Sequence, residues 1–429
     1  MKHLLFLTTN NLATNPRLVK EVQLALQIKH RVTIIMFTLN NWSDAKSDTI
    51  ITQLEAVNKE AKSNLNIVPI EAIASNKVKW FIYGFAEKIA KKGYKLQSKN
   101  IAFNAFGNTR RSFQLLFKAK ELVIAPDVIC AHNLGALYPA YKLALLWNIP
   151  FIFDVEDYHP GETVDFDAVN EKQRREYLMK ILLPKAKALT FASPLIGEYT
   201  LDLIGSHKNT ETILNGFIEE EFKFPSESCN SDNDLDSPLK LVWFSQKISF
   251  GRGLEQLFEA LSKISFRKDD VIIDVTLIGE LDEKFNEEII KSVQKNFIKK
   301  PIFIHVKAPL AQKELHKLLS KFDVGLALEF NSRDLNRQIC LTNKIVTYAQ
   351  AGLYILATNT KAQAQFISKY PILGVLSDQT VEDIENTILQ LIQQKVEIKR
   401  NKVLRFETGK QLSWNTEERK LSNLWKRIF

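Results

Sequence analysis

Residues 4–28 read LLFLTTNNLATNPRLVKEVQLALQI. Leu4 to Leu7 form an apolar run without polar alternation. That predicts a strand buried on both faces, as a parallel strand is when helices cover its sheet. A polar turn follows, then Asn15-Pro16. An asparagine at the N-cap and a proline at the first helical position start a helix that continues to residue 28. The next apolar run, 32–37, completes a strand–helix–strand unit. Outward from this unit the alternation repeats. Further strands are predicted at 66–70, 128–132, 151–156, 189–193 and 212–214, with helix-length segments between them.

A break comes at 226–239, SESCNSDNDLDSPL, the most linker-like stretch of the chain. The alternation then restarts, with strands predicted at 241–245, 271–279, 302–308, 324–329, 354–359 and 373–377. Helices are predicted at about 253–264, 283–298, 311–321, 342–351 and 379–394. With 429 residues, two cores are expected. The expected fold is α/β: two doubly wound Rossmann-like domains facing a cleft. The expected division is an N-terminal domain at 1–215, a linker at 216–239, a C-terminal domain at 240–400 and a C-terminal helix at 401–429 that crosses back. In such sheets ligands bind beyond the C-terminal ends of the strands.

Composition narrows the function. With 45% hydrophobic and 25% charged residues the chain is an ordinary globular protein. Its three cysteines, Cys130, Cys229 and Cys340, form no C-x-x-C pair, so neither a disulfide framework nor a zinc ribbon is indicated. The first apolar run is too short for a signal-peptide core, and 135–153 is interrupted by Pro139, Lys142 and Pro150. A cytoplasmic location is expected. The net charge of +9 is partly local, because residues 76–120 carry eleven Lys/Arg and one acid, Glu87, interleaved with aromatics. The spacing of Trp80, Phe81, Phe85 and Ile89 allows an amphipathic helix with a basic rim. Such a helix suits peripheral contact with the inner membrane face or, equally, a solvated insertion packed on the sheet. No nucleic-acid motif accompanies the charge.

Three strand ends hold the candidate chemistry. In the first half, 128–132 ends in His132-Asn133, and 151–153 leads into Asp154, Glu156, Asp157, His159 and Glu162. A carboxylate beside an imidazole can orient it and raise its pKa for proton transfer; the plainer alternative is an acidic loop at a sheet end. Asp154, Asp157 and His159 also offer ligands for a hard cation, at a spacing of low specificity. No P-loop and no G-x-G-x-x-G is present. Strand 241–245 is instead followed by Lys247, Gly251, Arg252 and Gly253 where a helix begins, a reasonable diphosphate site by dipole and charge. A tight glycine turn is the alternative. The third cluster follows strand 324–329. It runs from Glu329 through a polar loop to Thr342 as N-cap, then Asn343 and Lys344, with Gly352 closing the helix.

The string TNKIVTYAQAGLYILATNTKAQAQF, residues 342–366, resembles the C-terminal signature of family-4-type GT-B glycosyltransferases. Asn215-Gly216 is similar to the Asn-Gly turn that precedes their second domain, and 245–254 to their diphosphate loop. LTTNNLATNPRLVKE and PFIFDVEDYHPGE resemble a bacterial surface-polysaccharide branch. The resemblance covers nearly the whole chain. It implies transfer of a sugar, with retention, from a nucleoside-diphosphate donor to a lipid-linked glycan or polysaccharide, with no cofactor and no metal. Lys247, Gly251, Arg252, Gly253, Glu329, Asn343 and Lys344 would hold the donor. His132, Asp157 and His159 would be catalytic, with His132 or His159 as the acceptor-side histidine. Asn10, Asn11, Arg17, Asn133 and Glu156 would line the acceptor side. Two departures stand out. The paired glutamates of the family fall at Ile339 and Thr347, and the first loop has Thr9-Asn10-Asn11 in place of Gly-Gly. The missing glutamate motivates one alternative, a non-catalytic GT-B-like binding protein of a glycan-synthesis complex; another GT-B enzyme, such as a nucleotide-sugar epimerase, is a third reading.

Overall fold

The computed structural model describes residues 1–72, 77–224, 237–266, 272–295, 302–329 and 334–429, with backbone alone for 77–80. Residues 225–236 of the expected linker, Cys229 among them, the Trp80 side chain, the first residue of the strand expected at 271–279, the end of the helix expected at 283–298 and the loop 330–333 lie outside the described residues.

The chain forms two compact units. The first comprises Met1–Ile213, Asp334–Asn336 and Glu418–Phe429; the second comprises Leu214–Arg333 and Arg337–Glu417. The C-terminal helix Trp414–Ile428 thus begins in one unit and ends in the other.

In the first unit seven parallel strands are ordered β3-β2-β1-β4-β5-β6-β7. They are β1 (His3–Thr8), β2 (Arg31–Thr38), β3 (Asn64–Glu71), β4 (Val128–His132), β5 (Phe151–Val155), β6 (Ala188–Phe191) and β7 (Thr210–Thr212). Every residue of β1, β4, β5 and β6 is buried, because helices cover both faces. β3 lies at the edge, half exposed, and tolerates Pro69, which cannot donate to a ladder. The helices are α1 (Pro16–Gln27), α2 (Ser43–Ala61), α3 (Lys77–Leu96), α4 (Ile101–Asn108), α5 (Arg110–Lys120), α6 (Leu134–Trp147), α7 (Ala168–Leu182) and α8 (Pro194–Ile204). Asn15 caps α1 as its sequence predicts, its side chain accepting from Leu18 N at 3.1 Å. The basic stretch 76–120 becomes α3, α4 and α5, inserted between β3 and β4.

Pro139 does not interrupt α6 but lies within it. Proline has no N–H to give the carbonyl four residues earlier. That carbonyl, of Gly135, accepts instead from Ser112 Oγ at 2.6 Å, so α5 supplies the bond that the proline removes.

The second unit has six parallel strands in the order β10-β9-β8-β11-β12-β13. They are β8 (Leu239–Ile248), β9 (Ile273–Leu281), β10 (Ile302–Lys307), β11 (Val324–Ala327), β12 (Tyr354–Thr358) and β13 (Gly374–Ser377). Two apolar clusters flank the sheet. One is built on Trp243, Phe258 and Phe285, the other on Tyr348, Phe366 and Phe406. The helix expected at 283–298 starts at Glu283 and runs unbroken through Gln294, with its middle part, Asn286–Ile290, wound wider as a π segment. In each sheet the strand order reverses once, between β1 and β4 and between β8 and β11. Loops leaving on either side of such a reversal open a crevice at the carboxyl ends of the strands.

Candidate functional site

In the first unit the crevice lies where β1 and β4 end. Asn133, one residue past β4, has φ +68°, uncommon for a residue other than glycine. It occupies the N-cap of α6 but makes no side-chain capping bond. Its amide is used across the strand ends instead: Thr8 Oγ1 donates to Asn133 Oδ1 at 2.6 Å, and Asn133 Nδ2 donates to Glu156 Oε2 at 2.7 Å. Glu156 Oε1 is also 3.1 Å from His132 Nδ1. Backbone strain of this kind is kept only where surrounding contacts over-determine it, and it collects at functional sites.

Behind this bridge lies a buried charge cluster. Arg17, on the first turn of α1, donates from Nε and Nη2 to the two oxygens of Asp154, both at 2.7 Å, and from Nη1 to the carbonyl of Ile213 at 2.6 Å. Thr190 Oγ1 donates to Asp154 Oδ1 at 2.5 Å. His132, 1% exposed, lies 3.5 Å from Glu21, 3.4 Å from Asp154 and 3.1 Å from Glu156. Burial alone would push the His132 imidazole down, but Glu21, Asp154 and Glu156 outweigh it and lift it well above its ordinary value. Burial alone would raise Asp154; the Arg17 guanidinium holds it far below the usual carboxylate range. Burial raises Glu156, against the pull of His132. Arg17 and His132 thus face the carboxyl groups of Glu21, Asp154 and Glu156. The surrounding carboxyl groups favour the charged form of the His132 imidazole. Glu156 is the most exposed of the three carboxyl groups, its side chain 15% exposed against 6% for Glu21 and 2% for Asp154. So many charges held together are weak evidence of stabilisation and better evidence of function.

The other expected residues are placed differently. Asn11 is wholly buried, and its amide donates to Ser43 Oγ at 2.6 Å and to Asp44 Oδ1 at 2.9 Å. It braces the loop after β1 against α2 and leaves nothing for a ligand. Arg17, likewise, is buried, with all three guanidinium nitrogens donating to Asp154 or to the Ile213 carbonyl. Asn10 is partly exposed, its N–H given to Thr8 Oγ1. His159, in the turn His159–Gly161, belongs to another group. Its Nδ1 is 3.0 Å from Glu162 Oε1, and Arg175 Nη1 donates to Glu162 Oε2 at 2.5 Å. Burial lowers the His159 imidazole, and Glu162 and Asp157 more than compensate, so it ends raised. Asp157 accepts from Asn336 Nδ2 at 2.8 Å, and Tyr158 N donates to Asn336 Oδ1 at 2.8 Å.

The expected cation set is not assembled. Among the described residues Asp154, Asp157 and His159 form no metal-binding group; the group that does gather is Glu21, His132 and Asp154, with ligand atoms within 4.8 Å of one another. Arg17 already grips Asp154 with both oxygens, so this donor set fits a guanidinium and an imidazolium better than a divalent ion.

In the second unit β8 shifts register between Phe244 and Lys247, and the chain then turns through Gly251 (φ +72°) and Gly253 (φ +78°). Nothing lies within 4 Å of a Cβ added at Gly251, so the left-handed backbone, not crowding, calls for glycine there. Helix Leu254–Ser265 starts at Gly253 with no side-chain cap, which leaves its first-turn N–H groups available at the positive end of the helix dipole. Lys247, Gly251 and Arg252 are exposed. Among the described residues neither cation has an ion-pair partner.

The third cluster holds together around Thr358 at the end of β12. Glu329 N donates to Thr358 Oγ1 at 2.8 Å, which fixes the Glu329 backbone, and Lys344 Nζ is 2.6 Å from Glu329 Oε1. Asn343, at the start of helix Asn343–Gln350, accepts from Asn215 Nδ2 at 2.9 Å. Gly352 closes this helix at φ +74°, as its sequence predicts. At the two departures from the family pattern, Ile339 is buried, and Thr347 is buried with its hydroxyl donating to the Asn343 carbonyl at 2.7 Å. Neither presents a side chain to a ligand.

Three contributors escaped the sequence reading. Glu21 looks like any helical acid, Thr190 like any strand threonine, and both gain meaning only through His132 and Asp154. Gln363, in the first turn of helix Lys361–Lys369, is 1% exposed, and neither atom of its amide has a hydrogen-bond partner among the described residues.

No protein-family model matches the chain, and no curated protein matches it. Solved structures do. HepE of Anabaena, in complex with UDP and glucose, aligns over 100% of both chains at TM-score 0.62 and 14% identity. A glycosyltransferase of Rickettsia africae aligns over 100% of this chain and 98% of its own at TM-score 0.61 and 14% identity. Sucrose-phosphate synthase of Thermosynechococcus elongatus aligns over 100% and 99% at TM-score 0.63 and 13% identity. What these chains share with this one is the fold: two parallel-sheet Rossmann-like α/β domains, the architecture of GT-B glycosyltransferases.

Proposed function

We propose that the protein transfers a sugar from a nucleoside-diphosphate donor to a saccharide acceptor carried on a lipid or a growing polysaccharide, with retention of configuration. The observation that carries this reading is the β8 loop. An uncapped helix N-terminus, two left-handed glycines and two exposed cations, Lys247 and Arg252, follow the strand at which the sheet order reverses. It is supported by the full-length likeness to HepE, which has been solved with UDP and glucose and with UDP-glucose. As the bond from the sugar to the diphosphate breaks, negative charge grows on the leaving oxygen. Lys247, Arg252 and the helix dipole stabilise that charge. Gly251 and Gly253 let the backbone approach the phosphates. Asn343 and Glu329, with Lys344 neutralised by Glu329, shape the donor sugar pocket. On the acceptor side His132, Asn133 and Glu156 orient the attacking hydroxyl, with Asn10, Asp157 and His159 further along the rim. The reading requires no metal, because the two cations neutralise the diphosphate.

Titration calorimetry with UDP and UDP-glucose tests it. Arg252→Ala removes one charge-assisted contact worth about 1.5–3 kcal/mol, so binding should weaken roughly 10- to 150-fold. Equal binding by wild type and variant would remove the assignment. The burial of Ile339 and Thr347 favours a second reading, a GT-B-like protein that binds saccharide without transferring it. Absence of binding to any nucleotide-sugar in a panel would select it.

A further inference from the structure

Helix α3 presents an apolar stripe outward instead of inward. Phe81, Ile82, Phe85, Ile89 and Leu96 are 67%, 50%, 56%, 46% and 87% exposed. At 3.6 residues per turn they fall within an arc of about 100°. The opposite side of the helix holds the buried Ala90 and Tyr94. Phe81 and Phe85 stack on one another, ring centroids 6.2 Å apart, so the ridge is preformed. Lys88, Lys92 and Lys95 are exposed along the same helix. Lys92 falls inside the apolar arc and the other two border it. The one acid of residues 76–120, Glu87, is bound to Lys91 at 2.7 Å. A monomer rarely leaves so many large apolar side chains together in water. Their union with cations and no unpaired acid suits a surface that is apolar beneath and anionic on top.

We infer that α3 is a docking face for an anionic lipid bilayer, with the Phe81–Phe85 ridge entering the acyl boundary and Lys88, Lys92 and Lys95 at the phosphate level. The helix lies in the interface and does not span it; no helix among the described residues is long and apolar enough to cross a membrane. This deepens the function proposed above, since it would hold the acceptor side of the first unit at the surface where a lipid-linked saccharide resides. It does not depend on the donor site.

The test is co-flotation of the full chain with phosphatidylcholine vesicles made with and without phosphatidylglycerol, at low and high salt. Wild type should bind the anionic vesicles, release at high salt and ignore the neutral ones. Phe81→Ser/Phe85→Ser should reduce partitioning more than tenfold. Lys88→Gln/Lys92→Gln should reduce it about 30-fold, from roughly 1 kcal/mol per charge at the surface. Circular dichroism and UDP calorimetry on the same samples separate the outcomes: retained UDP binding with lost flotation supports the docking face alone, and lost UDP binding in wild type defeats the transferase reading while leaving this one standing. Failure of wild type to float, equal flotation with neutral vesicles, or unchanged flotation of both variants overturns the inference. So does a wild-type dimer in sedimentation velocity that the serine variant converts to monomer, which would assign the ridge to a second copy of the chain.

Discussion

Replacing Arg17 by methionine isolates the buried charge cluster. Methionine keeps much of the stem and removes the guanidinium that gives Asp154 two 2.7 Å bonds. Asp154, 2% exposed, keeps Thr190 and His132 but loses its balancing charge. Removing one partner of a buried pair costs about 3–5 kcal/mol. The pH dependence has a definite sign. With Arg17 present the folded-state pKa of Asp154 lies below its unfolded value of about 3.9. The stabilisation is therefore complete above that value and lost as pH falls through the folded pKa. Without Arg17, burial dominates and Asp154 takes up a proton more readily, so the penalty of the variant shrinks as pH falls from 7 toward 4. Amide exchange read by mass spectrometry on β1, β4 and β5 reports the opening of this sheet, not of the whole chain. The expected result is an opening free energy lower by about 3–5 kcal/mol at pH 7, with a narrower gap near pH 4.5. Arg17→Met/Asp154→Leu should recover most of the loss, because an apolar replacement of both partners is close to neutral. A penalty under about 1 kcal/mol at pH 7, or a double variant as damaged as the single one, would refute the argument.

Glu156→Gln should flatten the pH dependence of the same peptides. Burial raises Glu156, so the wild-type fold holds a proton that the unfolded chain gives up near pH 4.3, and stability falls as pH climbs from there through the folded pKa. If Glu156 orients the acceptor hydroxyl, the same change lowers transfer about 100-fold or more while UDP affinity is unchanged. His159→Gln should match wild type at alkaline pH and be less stable in acid. The raised His159 contributes fully below its unfolded value of about 6.5 and loses that contribution as pH rises through the folded pKa; a pH-independent difference in a denaturation series would contradict this. Gly409→Ala places a methyl 2.1 Å from the Ala349 carbonyl oxygen, so helices Asn343–Gln350 and Lys402–Lys410 must separate. A cost of about 1–3 kcal/mol or more is expected in thermal unfolding, and an unchanged midpoint would show that this contact yields freely.

Much of this molecule was legible from local pattern. The central strands β1, β4, β5 and β6 coincide with apolar runs, because a strand covered on both faces has no polar side and its composition alone reveals it, whereas β7, Thr-Glu-Thr, is only partly buried and shares a single residue with the run expected at 212–214. The start of α1 was readable from Asn15-Pro16, and the end of helix Asn343–Gln350 from Gly352, since caps are set by backbone groups within one turn. Longer range defeated the reading. Pro139 sits inside a helix, and nothing near it in the chain shows how its missing bond is replaced, because the donor, Ser112, comes from another helix. Arg17 and Asn11 looked like ligand groups and are internal braces, because their partners Asp154 and Asp44 lie 137 and 33 residues away.

The sequence by itself determined two doubly wound sheets, their strand boundaries to within a few residues and the polar loops that end them, since each depends on neighbours along the chain. Tertiary structure alone decided which polar residues are spent and which remain open. The raised His132 imidazole, the Glu156 carboxyl shared between His132 and Asn133, the burial of Thr347 and the outward apolar ridge of α3 all depend on packing between segments far apart in the chain. Charge state and exposure are set by what surrounds an atom in space, and that information is absent from the order of the residues.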